Sequence, residues 1–192
     1  MFIDLRRFGI PAINEEPGYE MEGMQAIPRR MDVNYRPWNS QSSHTLVPTF
    51  WSAACASGYV MWGNYATYWL DNPLRGITRS ETPLRLKILH DTITSLPYWE
   101  MEPSNEVVSA GEIKMGDGAY RTNFCLAKPG EAYMIFSLNG GDLIVTLADG
   151  DYAVTQLDPR TGEEKDSGTV SGGDQSFAVA GKEQVLLIKS SS

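Results

Sequence analysis

Three carboxylates fall close together in Asn14-Glu15-Glu16-Pro17-Gly18-Tyr19-Glu20. Cleavage of a glycosidic bond needs two carboxyl groups across the scissile linkage, an acid and a nucleophile or base, about 5–5.5 Å apart in retaining enzymes. Glu15 is a poor partner for Glu16, because neighbours on an extended strand point to opposite faces. Tyr19, Trp38, Trp62, Tyr65, Tyr68 and Trp69 stand in segments with loop chemistry, and such rings can stack on the C–H faces of sugars. Both patterns also have an ordinary reading. A Glu-rich turn is what a solvated loop looks like, and large aromatic side chains dominate packing everywhere.

The elements that would position these residues change character near Pro103. Gly9 to Asn14 is a short apolar run after a turn residue and predicts a buried strand, with the carboxylates just past its carboxyl end. Met1 to Phe8 reads as an amphipathic helix end running into Gly9. Residues 21 to 43, with Pro28 and Pro37, read as a long irregular connection, which in a compact domain is often functional. From Thr45 or Pro48 the spacing predicts a helix ending near Gly58, with Pro48 in its first turn. Tyr59 to Trp62 predicts a second buried strand. After Thr82-Pro83 the positions Leu84, Leu86, Ile88, Leu89, Ile93 and Leu96 keep helical spacing until Pro97. This βαβα order is that of an α/β fold with parallel strands.

Beyond Pro103 the chain breaks into short strand-like runs at Val107-Val108, 119–126, 131–138, 142–147, 151–157, 176–180 and 184–189. Turn signals separate them, including Lys128-Pro129-Gly130, Asp149-Gly150 and Gly172-Gly173. Seven or eight strands at this spacing predict an antiparallel β-sandwich.

Composition excludes several classes. With 192 residues, 16 basic against 24 acidic and net charge −8, a phosphate-binding surface for nucleic acid is not expected. No apolar run approaches the about 20 residues that span a bilayer, so no membrane partner is expected, and Met1 to Phe8 lacks the order of a secretory signal. Cys55 and Cys125 stand far apart in apolar surroundings and read as buried reduced thiols. His44 and His90 have no second ligand at metal spacing, so neither a metal nor another cofactor is expected.

Four stretches together carry a family likeness: Ile13 to Glu20, Ser57-Gly58-Tyr59-Val60-Met61-Trp62-Gly63-Asn64, Leu96-Pro97-Tyr98-Trp99-Glu100-Met101, and Leu157-Asp158-Pro159-Arg160-Thr161-Gly162-Glu163. In order and spacing they resemble the apiosidase-related, glycoside hydrolase-like (β/α)8 barrels, whose C-terminal β-sandwich is named for collagen binding. The resemblance implies that residues 1–103 are the last quarter of a (β/α)8 TIM barrel and residues 104–192 the β-sandwich, an α/β plus all-β chain. It implies that Glu16, before Pro17 in the Glu-Pro-x-Tyr-Glu pattern, is the nucleophile of a retaining glycosidase. Tyr19, Glu20, Trp38, Trp62 and Asn64 would then bind carbohydrate. Tyr59 stands where many relatives carry His.

The acid/base carboxylate of such barrels lies on the fourth strand, outside this chain, so the fragment is expected to be inactive alone. Its expected partners are carbohydrate and either the missing barrel half or a second copy. The alternative is a non-catalytic binding or structural module built on the sandwich. That second half has acidic, Gly-rich turns and no aromatic row at alternating strand positions, and fold alone does not assign a ligand.

Overall fold

The computed structural model describes residues 2–5, 8–9, 11–15, 19–20, 40–41, 43–64, 80–115 and 118–191. The first hundred positions carry α1 (Phe2–Leu5), β1 (Ile13–Asn14), β2 (Tyr19–Glu20), β3 (Ser40–Gln41), α2 (Ser43–Cys55), β4 (Tyr59–Val60), β5 (Gly63–Asn64) and α3 (Thr82–Thr94). A 3-10 turn over Tyr98–Glu100 leads into β6 (Glu102–Pro103), and a second spans Asn105–Val107. Then come β7 (Glu112–Met115), β8 (Gly118–Arg121), β9 (Asn123–Lys128), β10 (Ala132–Ser137), β11 (Gly141–Leu157), β12 (Glu164–Val179) and β13 (Gln184–Ser190).

The expected parallel strands are present but interrupted. Ile13 pairs Tyr59 and Asn14 pairs Val60 in one parallel ladder. Farther along the same two chain segments β2 pairs β5, and β3 adds to its other edge. The run expected over Tyr59 to Trp62 therefore splits, exchanging partner β1 for β2 across Met61 and Trp62. Among the described residues the parallel strands form two short sheets and no closed barrel.

Helix α2 begins at Ser43, earlier than the proline suggested, and takes Pro48 into its second turn. A proline there removes the bond its N–H would have given to the carbonyl four residues back. The helix ends in a Schellman motif, with Gly58 N–H on Ala53 O at 2.8 Å and Ser57 N–H on Ala54 O at 2.9 Å. Ser57, and not Gly58, takes the left-handed position at φ +51°, where a side chain costs about 1–2 kcal/mol. In α3 the inward face is set by Arg85, Ile88, Leu89, Thr92 and Ile93. Leu84, expected in the core, is 68% exposed.

The second half is antiparallel, in one sheet of order β12-β11-β13-β10-β9-β6, beside a separate β7-β8 ribbon. Val107-Val108 is not a strand: Val107 closes a 3-10 turn and Val108 makes a single bridge to Val145. The run 119–126 breaks at Thr122, whose N–H turns to the carbonyls of Ala110 and Gly111.

Asp149-Gly150 and Gly172-Gly173 are not hairpin turns but lie inside β11 and β12. Gly150, at φ +143°, makes a bulge that only glycine enters readily. Tyr133 and Tyr152 hold the bulge edge-to-face, ring centroids 5.8 Å apart. Ala148 N–H donates to the Tyr133 hydroxyl at 2.9 Å, and the Tyr152 hydroxyl donates to Ala148 O at 3.0 Å. Opposite, a Cβ at Gly172 would stand 2.4 Å from Ala148 O, so only glycine lets β12 cross there.

Beyond this bulge β11 pairs β13 only from Tyr152 to Leu157, while residues 141–147 pair β12 and, at Val145, the bridge to Val108. The central strands are consequently covered on both faces. Tyr133, Ile135, Leu186 and Ile188 meet Leu143, Val145 and Val154 in one apolar cluster. The alternate residues Met134, Phe136, Val185 and Leu187 meet Trp51, Cys55 and Leu96 in a second. Trp51 and Phe124 stack on Phe136 at 6.4 and 6.5 Å. Both cysteines are buried free thiols, as read from the sequence, on opposite faces of the sheet. Burial pushes the Cys55 thiol up to about 12 and that of Cys125 well above its usual range.

Candidate functional site

The parallel ladder of β2 and β5 puts Glu20 directly beside Asn64. Because residues two apart on an extended segment share a face, Trp62 and Asn64 approach the same neighbour. Glu20 is fully buried and Asn64 is 4% exposed. Trp62 Nε1–H donates to Glu20 Oε2 at 2.7 Å, and Asn64 Nδ2 lies 3.5 Å from the same oxygen.

A further partner was not foreseen. Ser80, two residues ahead of α3, has its Oγ 2.7 Å from Glu20 Oε1 and 2.6 Å from Oε2. The same Oγ accepts the N–H of Thr82 at 3.0 Å, so one hydroxyl joins the carboxylate to the first residue of the helix. Two polar atoms near this junction are buried without a partner among the described residues: Thr82 Oγ1 and Arg85 Nη1. Three residues apart, they share a face of the first turn of α3, while the other guanidinium nitrogen of Arg85 pairs with Glu81.

Three of the six expected site residues, Glu20, Trp62 and Asn64, are thus brought together. Tyr19 is placed in β2, opposite Ser40 and Gly63. Glu16 and Trp38 lie outside the described residues, as do Tyr65, Tyr68 and Trp69. Glu15 is exposed. The described cluster holds one carboxylate, engaged by an indole N–H and a hydroxyl. When ionised, such a group orients its donors firmly, because hydrogen bonds to an ionised acceptor are about twice as strong as neutral ones. Ser80 carries no motif signal. It stands 60 positions from Glu20, and only the fold joins them.

Apart from this cluster, an open groove of about 660 Å³ is lined by Ala12, Phe50, Tyr59, Val60, Leu89 and Trp99 among others. It is mostly apolar, with His90 among its lining side chains. Its chemistry is that of packing. Among the described residues no group of three or more His, Cys, Asp or Glu is placed to hold a metal, and no helix is long and apolar enough to cross a membrane.

No family model matches the sequence, and no curated protein matches it. Solved structures do. A protein titled as a glycoside hydrolase superimposes with TM-score 0.71 at 16% identity, over 94% of this chain and 42% of that one. A glycoside hydrolase family 5 protein from Bacteroides vulgatus superimposes with TM-score 0.72 at 15% identity, again over 94% and 42%. The chain therefore spans less than half the length of these structures. At this identity the likeness establishes fold alone, and the fold of this chain is glycoside hydrolase-related.

Proposed function

We propose that this chain is the C-terminal portion of a retaining glycoside hydrolase acting on a plant or microbial polysaccharide. In this reading residues 1–103 are the last quarter of a (β/α)8 barrel and residues 104–192 a β-sandwich packed on it. Glu16 is the nucleophile, and the acid/base carboxylate comes from the part of the barrel outside this chain. Tyr19, Glu20, Trp38, Trp62 and Asn64 line the sugar pocket. The observation that carries the reading is the convergence of Glu20, Trp62 and Asn64 at neighbouring parallel strands. Active sites of such barrels sit at the carboxyl ends of their strands.

A second observation supports a larger barrel. Ile13 and Tyr59, register partners in the β1-β4 ladder, are 57% and 51% exposed, and Met61 is 54% exposed. Parallel strands are otherwise covered on both faces, so this bare face suits further strands from the rest of the barrel. The binding-module alternative is weaker. Both faces of the central strands are packed, and the exposed large apolar side chains of the second half are Tyr120 and Ile144 among the described residues.

The test is titration of the chain with xylohexaose, cellohexaose and arabinohexaose, followed by tryptophan fluorescence. A saturable change that disappears in Trp62→Ala supports the pocket. A folded chain whose tryptophans respond to none of these sugars counts against it.

A further inference from the structure

We infer that Ser80 is a positioning residue, whose hydroxyl fixes the Glu20 carboxylate and, through it, the Trp62 ring to the first turn of α3. A hydroxyl has one proton to donate and lone pairs to accept with. Ser80 Oγ stands almost equidistant from the two Glu20 oxygens, 2.7 and 2.6 Å away, while accepting Thr82 N–H. The chain of bonds runs from Thr82 N–H to Ser80 Oγ–H to Glu20, whose Oε2 also accepts Trp62 Nε1–H. Each bond polarises the next, which strengthens the series. The helix contributes too, since the amino end of α3 carries partial positive charge toward the carboxylate.

The geometry separates this role from simple capping. An N-capping side chain satisfies a helix N–H and stops there, and the residue flanking α3, Glu81, makes no side-chain cap bond. Ser80 satisfies Thr82 N–H and also spans both oxygens of a fully buried carboxylate from a distant strand. Glu20 is then an anchor for the indole, presenting the half-buried Trp62 ring in one orientation. That the ring receives a sugar rests on the functional reading above. The bond series does not.

The two are tested apart on the full chain labelled with 15N. The Trp62 indole N–H resonance is assigned by its loss in Trp62→Phe. Ser80→Ala is expected to shift that resonance upfield and to speed exchange of its proton by about tenfold or more, while the other four indoles stay in place. Ser80→Thr, which keeps a hydroxyl, restores the original position. Ser80→Cys, which replaces the hydroxyl by a weak donor, is expected to move the resonance in the same direction, so it decides the matter should Ser80→Ala not fold. If Trp62 is unmoved in a folded Ser80→Ala or Ser80→Cys chain, whether or not α3 frays, the inference is overturned. Added xylohexaose that leaves Trp62 unperturbed refutes only the sugar reading.

Discussion

Glu20 offers the sharpest perturbation, because its partners predict an order of effects and not only a loss. Two of its bonds are short and charge-assisted, from Trp62 at 2.7 Å and from Ser80 at 2.6–2.7 Å. The Asn64 contact at 3.5 Å adds little by comparison. Net of the carboxylate's own desolvation, each strong bond is worth about 1.5–3 kcal/mol. Glu20→Leu fills similar space but leaves an indole N–H and a hydroxyl facing an alkyl group, which with Glu20 ionised is a loss of about 3–6 kcal/mol. Glu20→Gln keeps a carbonyl oxygen for Trp62 and offers an amide to Ser80, whose oxygen can accept it, so only the charge assistance is lost, about 1–2 kcal/mol. Urea unfolding followed by tryptophan fluorescence reads both directly. In thermal melts a chain of this size shifts by about 2–4 °C per kcal/mol. A Leu variant within about 0.5 kcal/mol of the parent, or a Gln variant less stable than the Leu variant, would refute the argument that these donors hold a buried carboxylate.

Further outcomes follow from other sites. Thr82→Val removes a buried hydroxyl with no partner at nearly constant volume, so it should stabilise by about 1 kcal/mol in the same assay; a loss would show that the hydroxyl is satisfied. Ser57→Gly relieves a left-handed side chain and should raise the melting temperature by a few degrees, corresponding to about 1 kcal/mol, whereas Ser57→Ala should not. The Cys55 thiol ionises near 9 when exposed and about 12 in the fold. The unfolded chain therefore loses its proton first as pH rises, and stability present below pH 9 should decline between 9 and 12. Cys55→Ala should flatten that decline, and neither thiol should react with iodoacetamide at pH 8 until the chain unfolds. With Ile13, Tyr59 and Met61 exposed together, the isolated chain should self-associate in sedimentation; a sharp monomer with a cooperative melt would argue against the bare face.

The parallel βαβα order was legible because apolar runs, prolines and glycines punctuate it, and the closeness of Glu20, Trp62 and Asn64 was legible through the family likeness. Leu84 misled because a leucine flanking Arg85 looks like a core position. The helix instead turns Arg85 inward, its Nη1 buried, and leaves Leu84 in solvent. Asp149-Gly150 and Gly172-Gly173 misled for a different reason. A glycine that permits a positive φ looks the same at a turn and at a bulge, and what decides between them here is long-range, the Tyr133 and Tyr152 hydroxyls gripping Ala148. Ser80 was invisible because a serine near a helix start is commonplace and its partner lies far away in sequence. The burial of β10 on both faces did have a local signal: Ala-Tyr-Met-Ile-Phe does not alternate.

That two-sided strand bears on how the chain could be divided or recombined. Severing it near Pro103 would strip the helices from Met134, Phe136, Val185 and Leu187, leaving an oily plane on a ninety-residue remnant. The sheet is therefore not a transplantable cassette: any fusion that borrows it must bring α2 and α3 along, or replace the outward half of β10 and β13 with polar side chains. The same dependence makes the boundary a poor place for evolution to shuffle, since the sheet and the helices that carry the Ser80 junction have to be inherited together.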